Sequence, residues 1–268
     1  MEIILDALQY GFFQRSLMVG MILAIVYALL GNFVVLREEA MIGHAMAHIV
    51  FLGISLGLLF SVSSLWTAIP AAILGVFFIN FLTKSSNISK DSILALTSQI
   101  TIAVAIIVLS QLEGYQNITG ILFGNILATT QADIWISLAI LAINLGVLWY
   151  IRRPLTQIVI NQDLAVSAGT NVRRIDTIFM FLMALTVAAG IKIIGVILLA
   201  AFLIIPANIS KNLSANFKQM TIFAVLVSLV GVILGLFLSY IFNTHSGAMI
   251  VLVLGTILVL TNIRKAAK

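Results

Sequence analysis

The sequence predicts an all-α polytopic membrane protein of about nine transmembrane helices, with eight as the alternative. Three observations carry this. Hydrophobic residues make up 62% of the 268-residue chain and charged residues only 9%, whereas soluble domains carry about 25% charged residues. The apolar residues fall into separate runs near the length, roughly 17–25 residues, that crosses a bilayer as a helix. The basic residues gather in alternate connections between those runs, which is the bias that sets orientation in a membrane.

The runs lie at 16–36, 41–60, 65–83, 93–110, 132–151, 175–191, 193–209, 220–242 and 247–263. The sixth and seventh are short and separated only by Lys192, so they are read either as two spans or as one broken helix. With nine spans and the N-terminus outside, the inner connections hold 12 of the 14 basic residues: Arg37, Lys84, Lys90, Arg152, Arg153, Arg173, Arg174, Lys211, Lys218, Arg264, Lys265 and Lys268. Only Arg15 and Lys192 fall outside. Glycines along the runs, among them Gly31, Gly53, Gly57, Gly195, Gly231 and Gly235, are assigned to close helix packing.

Two connections are long. Residues 111–131, QLEGYQNITGILFGNILATTQ, are too polar to face lipid and are placed outside; the apolar knot from Ile121 to Gly124 suggests a re-entrant or surface helix. Residues 152–175, RRPLTQIVINQDLAVSAGTNVRRI, are placed inside between arginine pairs. Within them Leu164 to Gly169 reads as a short helix with Gly169 as its C-cap, a patterned surface fit for docking. The whole of 1–268 is read as a single transmembrane permease domain carrying these two segments.

Several classes are excluded. The chain has no Cys, hence no disulfide framework and no thiolate metal site. Its net charge of +5 is scattered between apolar runs, which argues for membrane orientation and against nucleic acid. The acidic start, MEIILDALQY, lacks the basic region of a cleavable signal peptide.

Two of the three histidines, His44 and His48 in the stretch GHAMAH, lie four residues apart and so share one face of a helix. Ionisable groups at membrane depth are costly and mark substrate or ion routes, so the pair is a candidate metal or proton site. Helical zinc proteases use this spacing, but they need a glutamate after the first histidine as general base. Here that position is Ala45, and no acid lies in the central part of any span. The pair can hold a cation but cannot activate water, which points to passage rather than hydrolysis. Ser98 and Gln99 of the fourth span are candidate polar groups along the same path.

The residues also carry a family resemblance. Asn32-Phe33-Val34-Val35-Leu36-Arg37, then Met41-Ile42-Gly43-His44, Ala47-His48 and Leu52-Gly53, resemble the signature of the zinc/manganese permeases of ATP-binding-cassette importers. Later stretches agree in order: Leu122-Phe123-Gly124-Asn125-Ile126-Leu127 resembles their external segment, and Leu164-Ala165 with Gly169 resembles their cytoplasmic coupling helix. Lys192 to Leu199, Ile204-Ile205-Pro206-Ala207 and the Ser246-Gly247-Ala248 turn complete the pattern.

The resemblance implies a fold like that of cobalamin and siderophore importers and a transport subunit rather than an enzyme. It implies two copies of the chain around a central path in the plasma membrane of a prokaryote. A separate cassette ATPase and an extracytoplasmic metal-binding protein would be the partners, since the chain lacks the phosphate-cradling Gly-rich loop with Lys-Ser/Thr. No tightly bound cofactor is expected; a divalent ion, zinc or manganese, is the cargo. Leu164, Ala165 and Gly169 would couple to the ATPase, and Phe123, Gly124 and Asn125 would form the outer gate. The rival is an ATP-independent secondary transporter.

The departures from the family pattern bear on selectivity. Where His44 stands the family commonly has Asp, so a carboxylate–imidazole pair becomes two imidazoles. Imidazole suits zinc and carboxylate suits manganese, which leans the expected cargo toward zinc. Histidine ligands must also be neutral, making such a site proton-sensitive. Asn161 stands where the coupling segment often begins with an acid, leaving Asp163 as a possible substitute. His245 precedes the last span where the family often has Pro, and is read as a solvated loop residue.

Overall fold

A computed structural model describes residues 8–85, 88–112, 122, 124 and 126–266. Among the described residues nine long helices stand at the nine predicted runs: α1 (Gly11–Leu36), α2 (Met41–Leu59), α3 (Ser64–Ser85), α4 (Lys90–Ser110), α5 (Gln131–Ile160), α7 (Val172–Ile194), α8 (Val196–Leu213), α9 (Phe217–Phe242) and α10 (Ser246–Ala266). A 3-10 turn at Ile126–Ala128 precedes α5, and the short helix α6 (Gln162–Ser167) follows it. Among the described residues there is no strand. Eight of the long helices are long and apolar enough to cross a membrane, whereas the described apolar part of α8, Leu199–Leu213, is shorter. The chain is therefore all-α and polytopic, as the runs predict.

Local chemistry sets the helix ends. Ser89 starts α4 by accepting from the Ser92 amide at 3.3 Å, and Asn216 starts α9 by accepting from the Gln219 amide at 2.9 Å, each satisfying a donor that the first helical turn leaves unpaired. Asn243 ends α9 in the left-handed region (φ 49°), with the Thr244 amide returning to the Ser239 carbonyl at 3.1 Å. The break between the sixth and seventh runs falls at Gly195 rather than at Lys192. Gly195 has φ 89°, a conformation open mainly to glycine, whereas Lys192 continues the helical backbone of α7. Gly195 thus forms the break between α7 and α8.

A second boundary also moves. The fifth run ends at 151, but α5 continues to Ile160. Pro154 lies inside this extension and removes only one helical amide, and the backbone first turns extended at Asn161 (φ −162°).

The chain forms two compact units. One comprises Met1–Val35, Gln116–Leu141 and Ala189–Lys268. In it α8, α9 and α10 pack on one another. Gly31 lies against the Leu203 carbonyl and Gly235 against Ile250, places where a methyl group would collide. Tyr27 and Phe202 meet edge to face at 5.5 Å in its buried core.

The other unit comprises Leu36–Tyr115 and Ala142–Ala188. Its centre is α2, packed against both α3 and α4. Gly53 lets the Thr67–Ala71 stretch of α3 approach α2, so the helix that carries the histidine pair is set tightly in place. Asn144 Nδ2 donates to the Thr186 hydroxyl at 2.9 Å, a buried polar contact inside the unit. Trp66, Leu74 and Trp149 leave their side chains exposed, as lipid-facing helices do. Arg152 stacks over the Trp149 ring at 3.8 Å, an aromatic–cation pair of the sort found at the membrane–water interface.

Candidate functional site

The site begins one turn into α2. Met41 to His48 is regular helix, so the buried Gly43 supplies no irregular backbone. Ala45, Met46 and Ala47 are fully buried, while His44 and His48 are half-buried on the remaining face. Their rings lie 6.4 Å apart, centroid to centroid, and nearly parallel at 21°. They thus stand side by side one turn apart rather than pinched around a single point. His48 Nδ1 is buried and has no hydrogen-bond partner among the described residues. A neutral imidazole always offers one lone pair, and an imidazole nitrogen left without a protein partner is free to take a proton or a metal.

Among the described residues no group of three or more His, Cys, Asp or Glu comes together to hold an ion. The pair is therefore an incomplete ligand shell within one chain. Ser98, on the α4 helix that packs against α2, is buried, whereas its neighbour Gln99 is exposed; adjacent helical residues point in different directions. Thr97, also buried on α4, has a hydroxyl without a hydrogen-bond partner among the described residues.

The foot of α2 is held by four charges, of which Arg37 and Lys90 also belong to the basic residues that set orientation. Glu39 accepts from Arg37 at 2.9 Å and from Lys90 at 2.6 Å, and Asp176 pairs with Arg37 at 2.5 Å and with Lys90 at 3.6 Å. The Arg37 guanidinium also sits 5.5 Å from the Phe179 ring. Glu38 takes φ 58° in the tight connection between α1 and α2. Four charges thus tie that connection to the starts of α4 and α7. The signal was present in the sequence as acids placed among inner arginines, but pairing across 139 residues is invisible to local patterns.

Of the gate candidates, Phe123 and Asn125 lie outside the described residues. Gly124 is buried with φ 70°. It leads into the 3-10 turn, whose Ile126 carbonyl accepts from the Ser16 hydroxyl at 2.7 Å. The Thr129 carbonyl accepts from Arg15 at 3.3 Å. The end of this segment is therefore fastened to α1.

The coupling candidates form one compact element. Asn161 Oδ1 accepts from the Leu164 amide at 3.0 Å and opens α6. The amide side chain thus fills the capping role open to an acid. Ala165 is buried at 2%, while Leu164 is 66% exposed. Gly169 (φ 83°) follows the helix, with the Thr170 amide reaching back to the Ala165 carbonyl at 2.9 Å. Leu164 and Val166 stand out from this small rigid knob. Replacing Asn161 with Ala should destabilise the knob by about 1 kcal/mol, read as faster amide hydrogen exchange over 162–168 with little change elsewhere. His245 is exposed just before α10.

Comparison with known proteins then places the chain. The model of the ABC 3 transport family matches residues 9–265. The chain belongs to the ABC 3 transport family. It is 31% identical over 248 residues to the manganese transport system membrane protein MntC of Listeria innocua, covering 92% of this chain and 88% of that one. It is 29% identical over 259 residues to the high-affinity zinc uptake system membrane protein ZnuB of Buchnera aphidicola, covering 96% of this chain and 99% of that one. Among solved structures, PsaBC from Streptococcus pneumoniae in complex with Fab matches with a TM-score of 0.86 and 27% identity, over 97% of this chain and 94% of that one. The chain is thus a multi-pass membrane permease of an ABC metal-transport family.

Proposed function

We propose that this chain is the membrane-spanning subunit of an ATP-driven importer of a divalent transition metal, with zinc ahead of manganese. The observation that carries this is the histidine pair: two half-buried imidazoles one turn apart on the helix at the centre of its unit, one with a buried nitrogen that has no partner among the described residues. In a family whose relatives bear the names of manganese and zinc systems, such a pair is best read as a way-station for the cargo. Its incompleteness fits transport, because a site that must release its ion profits from leaving part of the shell to water or to the equivalent pair of a second copy.

In this reading two copies enclose the path in the plasma membrane of a prokaryote, and a secreted metal-binding protein delivers the ion at the outer face. The segment around Phe123, Gly124 and Asn125 gates entry. His44 and His48 hold the ion in transit, with Ser98 and Gln99 as further polar groups of the path. A separate cassette ATPase grips the α6 knob through Leu164, Ala165 and Gly169, and its ATP-driven closure moves α7, which follows that knob directly in the chain. The 1–268 chain acts as one permease domain, with 111–131 outside and 152–175 inside.

The test is uptake of zinc by proteoliposomes containing this chain alone, or with its ATPase and binding protein. Uptake that needs all three and ATP is expected. Equal uptake by the chain alone would establish an ATP-independent transporter and overturn the proposal.

A further inference from the structure

Between the end of α3, the start of α4 and the start of α7 lies a cleft of about 540 Å³. It is unrelated to the histidine pair in composition. Its polar wall holds Lys84 and Arg173 together with Asn80 and Thr177; Asn80 donates to the Thr177 hydroxyl at 3.3 Å. Its other wall is aromatic: Phe77 and Phe81 are 58% and 65% exposed, and Phe77 is braced edge-on by Phe181 at 5.4 Å.

The charges of this cleft do not cancel. Lys90 and Asp176 also line it, but they belong to the four-charge cluster at the foot of α2, in which Arg37 and Lys90 balance Glu39 and Asp176. Lys84 and Arg173 form no ion pair among the described residues, so two positive charges are left facing a space large enough for a small polar group. On the orientation given by the basic residues, this cleft opens at the inner membrane–water boundary, with the two phenylalanines turned to the hydrocarbon side. A ligand that suits both walls carries a phosphate at one end and acyl chains at the other. Basic pockets between spans on the cytoplasmic side hold anionic lipid head groups in this manner.

We infer that this cleft is a binding site for one anionic glycerophospholipid, with its phosphate between Lys84 and Arg173 and its acyl chains along Phe77 and Phe81. The inference uses the orientation of the chain and is independent of the cargo and of the histidine pair.

The test uses the purified permease–ATPase complex in nanodiscs that mix phosphatidylglycerol with phosphatidylcholine. Lipid retained after transfer to mild detergent is counted by native mass spectrometry. The wild-type complex should keep phosphatidylglycerol, and Lys84→Gln/Arg173→Gln should keep roughly an order of magnitude less, as expected for two basic contacts near a membrane surface. The control Arg153→Gln/Lys218→Gln, which removes the same charge outside the cleft, should keep the wild-type amount. Equal retention in all three, or equal loss in both variants, would overturn the site. Displacement of the lipid by millimolar inorganic phosphate would show that a free anion is the ligand and would overturn the lipid assignment.

A second measurement needs no variant. A photoactivatable phosphatidylglycerol reacted with the wild-type complex should label residues 77–84 and 172–177. Labelling confined to other helices would equally overturn the site.

Discussion

His48→Ala is expected to remove nearly all ATP-driven zinc uptake while leaving the complex assembled. The two effects separate because of the state of the side chain. His48 Nδ1 is buried without a hydrogen-bond partner among the described residues, and a buried polar atom left unsatisfied costs free energy. Removing it relieves that cost, so thermal stability should hold or rise slightly while transport falls. Changes one step removed from a metal ligand already lower affinity or activity by 10- to 100-fold; loss of the ligand itself should do at least as much, by roughly two orders of magnitude. His44→Asp tests selectivity on the same helix. A carboxylate in place of one imidazole favours manganese over zinc, so competition between the two ions during uptake should shift toward manganese. Unchanged uptake by His48→Ala in an intact complex would sink the role given to the pair, and unchanged competition in His44→Asp would sink the selectivity argument alone.

Breaking the charge cluster at the foot of α2 is the second large effect. Arg37→Ala would leave Glu39 and Asp176 with Lys90 as their only cation in the cluster. Removing one member of a buried ionic group costs about 3–5 kcal/mol. The lower end, about 3 kcal/mol, applies here because the Glu39 and Asp176 side chains retain 13% and 22% of their exposure and water screens them in part. The measurement is the unfolding midpoint of the detergent-solubilised protein. Asp176→Asn should cost less, since Glu39 still accepts from both cations. The exchange Arg37→Asp/Asp176→Arg should recover part of the loss. A shift of Arg37→Ala too small to resolve would show that the cluster is surface decoration.

Much of the fold was legible because the bilayer enforces it. A chain this poor in charge must place its apolar runs in lipid as helices, since unpaired backbone groups are intolerable there, and the nine runs and nine long helices coincide in order. Where the reading missed, the deciding interaction was local backbone geometry or distant pairing. Lys192 separates the sixth and seventh apolar runs, but a charge near a span end is compatible with continued helix, and the positive φ of Gly195 decides the break. The apolar run ends at the arginine pair Arg152-Arg153, but the helix of α5 runs on through it, and Pro154 costs that helix one hydrogen bond.

The site was legible in one part and opaque in another. Two histidines at helical spacing fix their shared face, and α2 presents them so. The pairing of Arg37 with Asp176, and of Lys90 with Glu39, depends on how α2, α4 and α7 meet, which no local spacing encodes. Asn161 is the intermediate case: it departs from the acid common in the family, and its side chain accepts from the Leu164 amide, which explains why the change is tolerable.

The contrast in burial among the helices carries a consequence for how this chain varies over generations. In α1, 72% of the apolar stretch is buried, whereas in α3 and α5 the figure is 28%. A substitution in α1 meets neighbouring atoms on nearly every side, so its identity is constrained. On the outer faces of α3 and α5 one large apolar residue does as well as another, and only a charge is penalised. Drift should therefore scramble the letters of α3 and α5 while preserving their oiliness, and sequence identity with distant kin will understate how much of the molecule is shared.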